Sequence, residues 1–418
     1  MKILFKNLFS FGLIQGINLL IPLLITPFLL KTIGVSNYGV VATAQSLAIF
    51  FILFTDFGFN LTSVRRIAQA RGNKNEIESI VNGTFFLKLI LLCAAFIIYI
   101  LLILVVPQFN QHFLIYLCSF SLVIGNTFLP FWFYQGIEKM SKTILPVLIF
   151  KVLIIVLIFF LIKRPVDAML ANIFLGAANL LAGVFLLIQI RKEYNISLKL
   201  LSIAVLKHEF KNGFALFISN FGVAIYVGSS LLILSFFLTP ENLGIYSIVD
   251  RILQILRALL AMVHNTSYPQ VCNIVQESQS SLVDFIKKVY TPVWLVVLLL
   301  CLFLFFYPDI VVTYFIKKPQ DVLFAAGVLK YFSFVLFIVG LNIPFYQTLL
   351  AYKRDWLTVR ILFAGALLSV TLNMILVPVL NIKGAAVSMY IVEIMITATF
   401  IYYFFSLRKV YEQGKLFK

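Results

Sequence analysis

The sequence predicts an all-α integral membrane protein: twelve transmembrane helices in two six-helix halves, related by a pseudo-two-fold axis along the membrane normal. Three observations predict it. Apolar runs of bilayer-crossing length fill almost the whole chain. Basic residues gather in the links on one side of those runs. Short motifs recur at an offset of about half the chain. The runs are 9–30, 39–61, 82–106, 113–134, 144–162, 168–190, 214–238, 244–263, 290–316, 322–350, 359–380 and 385–406. A hydrocarbon core of about 30 Å needs about 20 helical residues. Only helices or closed barrels satisfy the backbone in lipid, and the runs lack the alternation of barrel strands.

The first run follows Lys2 and Lys6, as a signal peptide would, but no small-x-small cleavage site precedes Lys31. It reads as a retained helix. The next five spans are bounded by the basic 62–81 link, the Lys139 and Lys142 turn, and the Lys163-Arg164 turn. The 191–212 link is the most basic and divides the chain into halves 1–205 and 206–418. Six further runs follow. With the amino terminus in the cytoplasm, the cytoplasmic links hold 21 Lys and Arg, and the opposite links hold 6. This is the positive-inside bias, with both termini cytoplasmic. It also accounts for the net charge of +17 without nucleic acid as a partner. Four cysteines and three histidines show no disulfide framework and no metal-ligand spacing, so neither metal nor cofactor is expected.

The halves look alike. Lys6-Asn7 and Lys211-Asn212 lie 205 residues apart, as do Asn37-x-Gly39 and Asn242-x-Gly244. Pro130-Phe131…Tyr134-Gln135 matches Pro344-Phe345-Tyr346-Gln347 near the end of each fourth span. Six spans return the chain to its starting side, so the repeat is parallel, an architecture of transporters. Pro22, Pro27, Pro130 and Pro344 are expected to interrupt spans.

Charges inside spans carry the functional information, because each costs about 2.5–3.5 kcal/mol at a helix centre on insertion scales. Asp250, Gln254 and Arg257 are spaced i, i+4, i+7 on one face of the eighth span, with Arg251 beside them. One reading is a polar cavity wall whose guanidinium groups bind phosphate with a planar fork of donors. The other is a structural Asp250–arginine pair. Lys151 and Lys330 are further cavity candidates, and for them, as for Lys88, snorkelling to the headgroups is the alternative. Asp56, with Arg65 and Arg66 a few turns on, is either a helix-end ion pair or a gating contact. Glu393 is isolated in mid-span, with no basic residue within two turns on its helix, which makes it the coupling candidate.

Two stretches carry a resemblance. One runs from Leu30 to Asn73 and includes Gly34-Val35-Ser36-Asn37-Tyr38-Gly39, Asp56-Phe57-Gly58-Phe59-Asn60 and Arg65-Arg66-Ile67-Ala68. The other is Pro130-Phe131-Trp132-Phe133-Tyr134-Gln135-Gly136-Ile137-Glu138-Lys139-Met140. Together the chain resembles the bacterial polysaccharide flippases of the Wzx O-antigen type. These share a superfamily with the multidrug-and-toxin extrusion transporters and the lipid II flippase. The resemblance implies a flippase, not an enzyme, in the bacterial inner membrane. Its substrate would be undecaprenyl-diphosphate-linked oligosaccharide, with membrane lipids, the polysaccharide polymerase machinery and H⁺ or Na⁺ as partners. It implies a cationic lumen, which carries over to Arg251 and Arg257, and to Lys151 and Lys330. The alternative is a cation-coupled drug or metabolite exporter, disfavoured by the basic eighth span. A membrane polymerase or ligase is disfavoured by short outward links, and a channel by the lack of a filter-like repeat.

Topology is testable directly. Single cysteines placed in 62–81, 191–212 or 264–289 should resist impermeant thiol reagents in intact cells, and cysteines near 163–167 or 317–321 should react. Labelling of 191–212 from outside would contradict twelve spans.

Overall fold

The computed structural model describes residues 2–412, except 71–72, 198–205, 208, 212, 215–216, 219–227, 229, 278 and 353. Among the described residues every regular element is helical. Among the described residues nine helices are long and apolar enough to cross a membrane, so this is a multi-pass membrane protein. The difference from twelve runs has three sources. The first two runs form one helix, Lys2–Asp56, interrupted at Gly34 (φ 82, ψ 161). About half of 214–238 lies outside the described residues. The 244–263 run is helical within Pro240–Glu277, but is too polar to count among the nine.

The helix breaks follow backbone sign more than proline. Pro22 and Pro27 lie inside Lys2–Asp56, and Pro344 lies inside Val335–Ala351. Of the four prolines expected to interrupt spans, Pro130 alone does so, between Phe113–Phe128 and Phe131–Gly136. A proline removes one hydrogen bond from a long ladder, which neighbouring helices can support. A residue at positive φ ends the ladder outright. That happens at Gly34, and at Phe57 (φ 43) with Gly58 (φ 78).

The chain divides into two compact units, Met1–Ala224 and Ile225–Lys418. The described residues of 206–218 fall in the first unit. A Cβ on Gly213 would lie 2.6 Å from the Phe57 carbonyl oxygen, which shows how closely that stretch approaches the second span.

Within the first unit, Phe113–Phe128 packs along Ala168–Tyr194 at backbone contact. A Cβ on Gly176 would lie 2.4 Å from the Ser121 backbone, and one on Gly125 would lie 2.3 Å from the Gly176 carbonyl oxygen. Small residues allow this approach in lipid, where apolar association gives helices little drive to pair. Buried Asn172 ties the contact together. Its carbonyl oxygen accepts from Gln45 Nε2 at 2.7 Å, and its backbone oxygen accepts from Ser121 Oγ at 2.8 Å. In the second unit, Gln347 is fully buried and plays a similar part. Its Nε2 donates to the His264 carbonyl oxygen at 2.7 Å, and its Oε1 accepts from Tyr290 at 2.5 Å.

Gly176→Leu should force these helices apart, with an overpacking cost of about 1–3 kcal/mol. Thermal unfolding in detergent should shift down, and Gly16→Leu, where added atoms meet nothing within 4 Å, should leave it unchanged.

Candidate functional site

A polar cavity of about 140 Å³ lies inside the second unit. Among the described residues five helices line it, with Ser230–Leu234 and Val335–Ala351 contributing Ser230 and Val339. Pro240–Glu277 brings Tyr246, Asp250 and Arg257 to it, Asp355–Leu380 brings Ser369 and Asn373, and Ile382–Glu412 brings Met389 and Glu393. The i, i+7 spacing puts Asp250 and Arg257 on one helical face, and both line the cavity. Arg257 Nη2 lies 3.9 Å from Glu393 Oε1 and 4.0 Å from Met389 Sδ. Glu393 is 3% exposed, so its carboxylate has left water. Asp250 accepts from Gln254 Nε2 at 2.7 Å, and Gln254 in turn accepts from Arg251 Nη1 at 3.4 Å.

The structure adds to this face a partner that the sequence readings lacked. Among the described ion pairs, the carboxylate partner of Arg257 is Glu393 from another helix, not Asp250. The carboxylate expected to lack a basic neighbour on its own helix thus has one from across the fold. Asp250 uses an amide that relays to Arg251.

The six predicted cavity residues do not form one set. Asp250 and Arg257 line this cavity, while Gln254 is exposed and, like Arg251, lies outside the lining. Lys330 is exposed, in the last turn of Pro319–Phe332. Lys151 lines a separate cavity of about 120 Å³ in the first unit, among Ile21, Pro22, Leu122, Ile154 and Asn179. Sequence reasoning passed over Asn373, Ser369, Ser230 and Tyr246, all of which line the second-unit cavity. Asn373 Nδ2 donates to the Ser369 carbonyl oxygen at 2.8 Å, but its buried Oδ1 meets no donor. Lone amides and hydroxyls in apolar runs were the available signal, and they are too common to single out without neighbours.

The gating candidates also change partners. Asp56 pairs with Lys88 at 2.9 Å, not with Arg65 or Arg66. Lys88 is 1% exposed, so it does not snorkel. Arg66 pairs with Glu209, and Arg65 is exposed.

Charged groups enclosed in the spans of a helical membrane protein mark candidate sites for polar ligands. The relatives of this chain specify its class. A family model described as "Polysaccharide biosynthesis protein" matches residues 4–275. Two relatives carry the name "Putative O-antigen transporter". The one from Escherichia coli (strain K12) is 30% identical over 396 residues, covering 94% of each chain. The one from Shigella dysenteriae is 22% identical over 276 residues, covering 66% of this chain and 69% of its own. The protein is a multi-pass membrane protein of the transporter class. It belongs to the polysaccharide biosynthesis protein family. Solved structures share the fold. The lipid II flippase MurJ, in an inward closed conformation, superposes with a TM-score of 0.74 at 15% identity, covering 97% of this chain and 87% of its own. An inward-facing multidrug resistance MATE family transporter of the MOP superfamily gives 0.68 at 14% identity, covering 94% and 99%.

The Arg257–Glu393 pair makes a signed prediction. Arg257→Ala removes the cation beside a buried carboxylate and should cost about 3–5 kcal/mol. Adding Glu393→Gln should recover most of the loss in thermal stability, so the double variant is more stable than Arg257→Ala alone. Additive losses in the double variant would show that the two side chains do not interact.

Proposed function

We propose that this protein moves undecaprenyl-diphosphate-linked oligosaccharide units from the cytoplasmic to the periplasmic leaflet of the bacterial inner membrane. The near full-length similarity to an O-antigen transporter carries this reading. The chemistry agrees with it. A diphosphate bearing a glycan cannot cross hydrocarbon unaided, because its charges and hydroxyls would lose their water. Arginine groups at the cavity face, Arg257 foremost and Arg251 beside it, suit the diphosphate. Lys151 and Lys330 add positive charge elsewhere. The second-unit cavity is far too small for an oligosaccharide, so its part is charge recognition and coupling, not housing the glycan.

In this reading the termini are cytoplasmic and the chain has twelve spans in two repeat-related halves. The halves open alternately to each side. Glu393 is the coupling group for H⁺ or Na⁺, with Arg257 as the fixed cation that competes for it. Asp56, Arg65 and Arg66 belong to the gate on the cytoplasmic side. Delivery of flipped units to a polymerase would follow. A second reading, a cation-coupled exporter of drugs or metabolites, draws support from the two carboxylates, Asp250 and Glu393, at the same cavity.

Deleting the gene in its host distinguishes the readings. Loss of surface polysaccharide, with lipid-linked units retained in the cytoplasmic leaflet, is the expected result, and it should be restored by the intact chain. Within that assay Arg257→Lys should keep more function than Arg257→Ala, because it keeps charge and loses only the fork. Normal surface polysaccharide in the deletion strain, with raised drug sensitivity, would favour the exporter.

A further inference from the structure

Motif Asp56-Phe57-Gly58-Phe59-Asn60 lies where the second span breaks. The helix ends at Asp56, two residues turn through positive φ, and a new helix, Phe59–Gln69, begins. Gly58 adopts this geometry freely, but Phe57 at φ 43 does not, since a bulky L residue is unfavourable there. Such a conformation persists only when its surroundings impose it.

Contacts at three places impose it here. Immediately before the turn, Lys88 Nζ donates to Asp56 Oδ1 at 2.9 Å from the neighbouring Lys74–Val105 helix. The other carboxylate oxygen accepts from Asn60 at 3.2 Å, across the break, and from Asn126 at 3.3 Å. At the turn, the Phe57 ring stacks on Phe217 at 4.8 Å and lies 4.6 Å from Phe210, both in 206–218. Beyond the turn, Ser63 Oγ meets Thr84 Oγ1 at 2.8 Å, and Arg66 pairs with Glu209. The short helix is therefore held at its start by Lys88 through Asp56, and at its far end by the same 206–218 stretch.

We infer that Lys88 is a positioning residue for transport: it holds a two-state joint at Phe57–Gly58 in the bent form. The alternative state is a straight second span, in which Phe57 returns to negative φ. Straightening rotates Phe59–Gln69, draws Ser63 from Thr84 and pulls Arg66 off Glu209. Lys88 sits behind the joint, enclosed by protein, and among the described residues its ion-pair partner is Asp56. It has no role in the apolar packing of its own helix that methionine would not fill. The role of this joint in transport rests on the flippase reading, whereas the joint itself does not.

The test uses the full chain with Cys93, Cys118, Cys272 and Cys301 changed to alanine, and with Ser63→Cys and Thr84→Cys added. In membranes treated with copper–phenanthroline, this pair should form a disulfide rapidly, read as loss of maleimide–polyethylene glycol labelling. Lys88→Met should slow it about tenfold by releasing the joint, as loss of one partner of a buried pair is strongly unfavourable. Asp56→Asn should do likewise, and its carboxamide keeps the shape of the carboxylate if Lys88→Met fails to insert. The exchange Asp56→Lys with Lys88→Asp should return the rate. Unchanged rates in both single variants would overturn the inference. A parallel arm measures surface polysaccharide in the deletion strain. It should fall with Lys88→Met and return with the exchange. If the cross-linking rates shift but the intact chain itself restores nothing, the flippase reading fails and the joint stands. If the intact chain and Lys88→Met restore polysaccharide equally, Lys88 has no part in transport.

Discussion

The hydrocarbon core offers no water, and every polar group placed there must find its partner inside the protein. That constraint organises the rest of this structure. An isolated charge would be costly at helix centre, so Lys88 meets Asp56 and Arg257 meets Glu393. Neutral groups follow the same rule. Asn172 gathers Gln45, Ser119 and Ser121 around it, and Gln347 gathers His264, Ser267 and Tyr290. These networks join helices that the apolar surface would not, because lipid tails compete equally well for apolar side chains. The same helices also close on glycine, as along Gly125 and Gly176.

The same rule explains why the second-unit cavity carries both signs of charge. A pocket of arginines alone would repel itself, and a pocket of carboxylates alone would do the same. Arg257 and Glu393 on separate helices neutralise one another, while Asp250 and Arg251 share Gln254 as an intermediary. An anionic ligand can then compete with Glu393 for Arg257, and a small cation can compete with Arg257 for Glu393. A transporter needs interactions that can be exchanged in this way. A pair at 3.9 Å, without close hydrogen-bond geometry, is easier to exchange than a tight one. Asn373 Oδ1, buried and without a donor, leaves the cavity with an acceptor still to be satisfied.

Helix breaks contribute a second kind of order. Long spans tolerate Pro22, Pro27 and Pro344 because a proline costs one hydrogen bond and leaves the following turns intact. Gly34 and the Phe57–Gly58 pair reverse the sign of φ, and the ladder stops there. Gly34 turns the chain between its first two runs, so that one long helix serves as two. Phe57 does something different, since its geometry is imposed by neighbours and is not intrinsic to the residue.

Several features were legible in the sequence alone because they depend on short stretches. Apolar runs of bilayer length give helices wherever they occur, as in Ser141–Leu161 and Trp356–Leu380, because lipid permits little else. The i, i+4, i+7 spacing put Asp250, Gln254 and Arg257 on one face by helical geometry, and the motifs at 30–73 and 130–140 pointed to the family to which the chain belongs. What sequence could not determine was which charge meets which. Lys88 and Asp56 are 32 residues apart, Arg66 and Glu209 are 143 apart, and Arg257 lies on a different helix from Glu393. On a single helix a charge sees only neighbours three and four residues away. In the folded chain it sees whatever another helix presents at the same depth, and that depends on packing, rotation and tilt. Tertiary structure therefore decided the ion pairs, the contents of the cavity and the bend at Phe57, because each is fixed by side chains brought together across helices that share no local sequence.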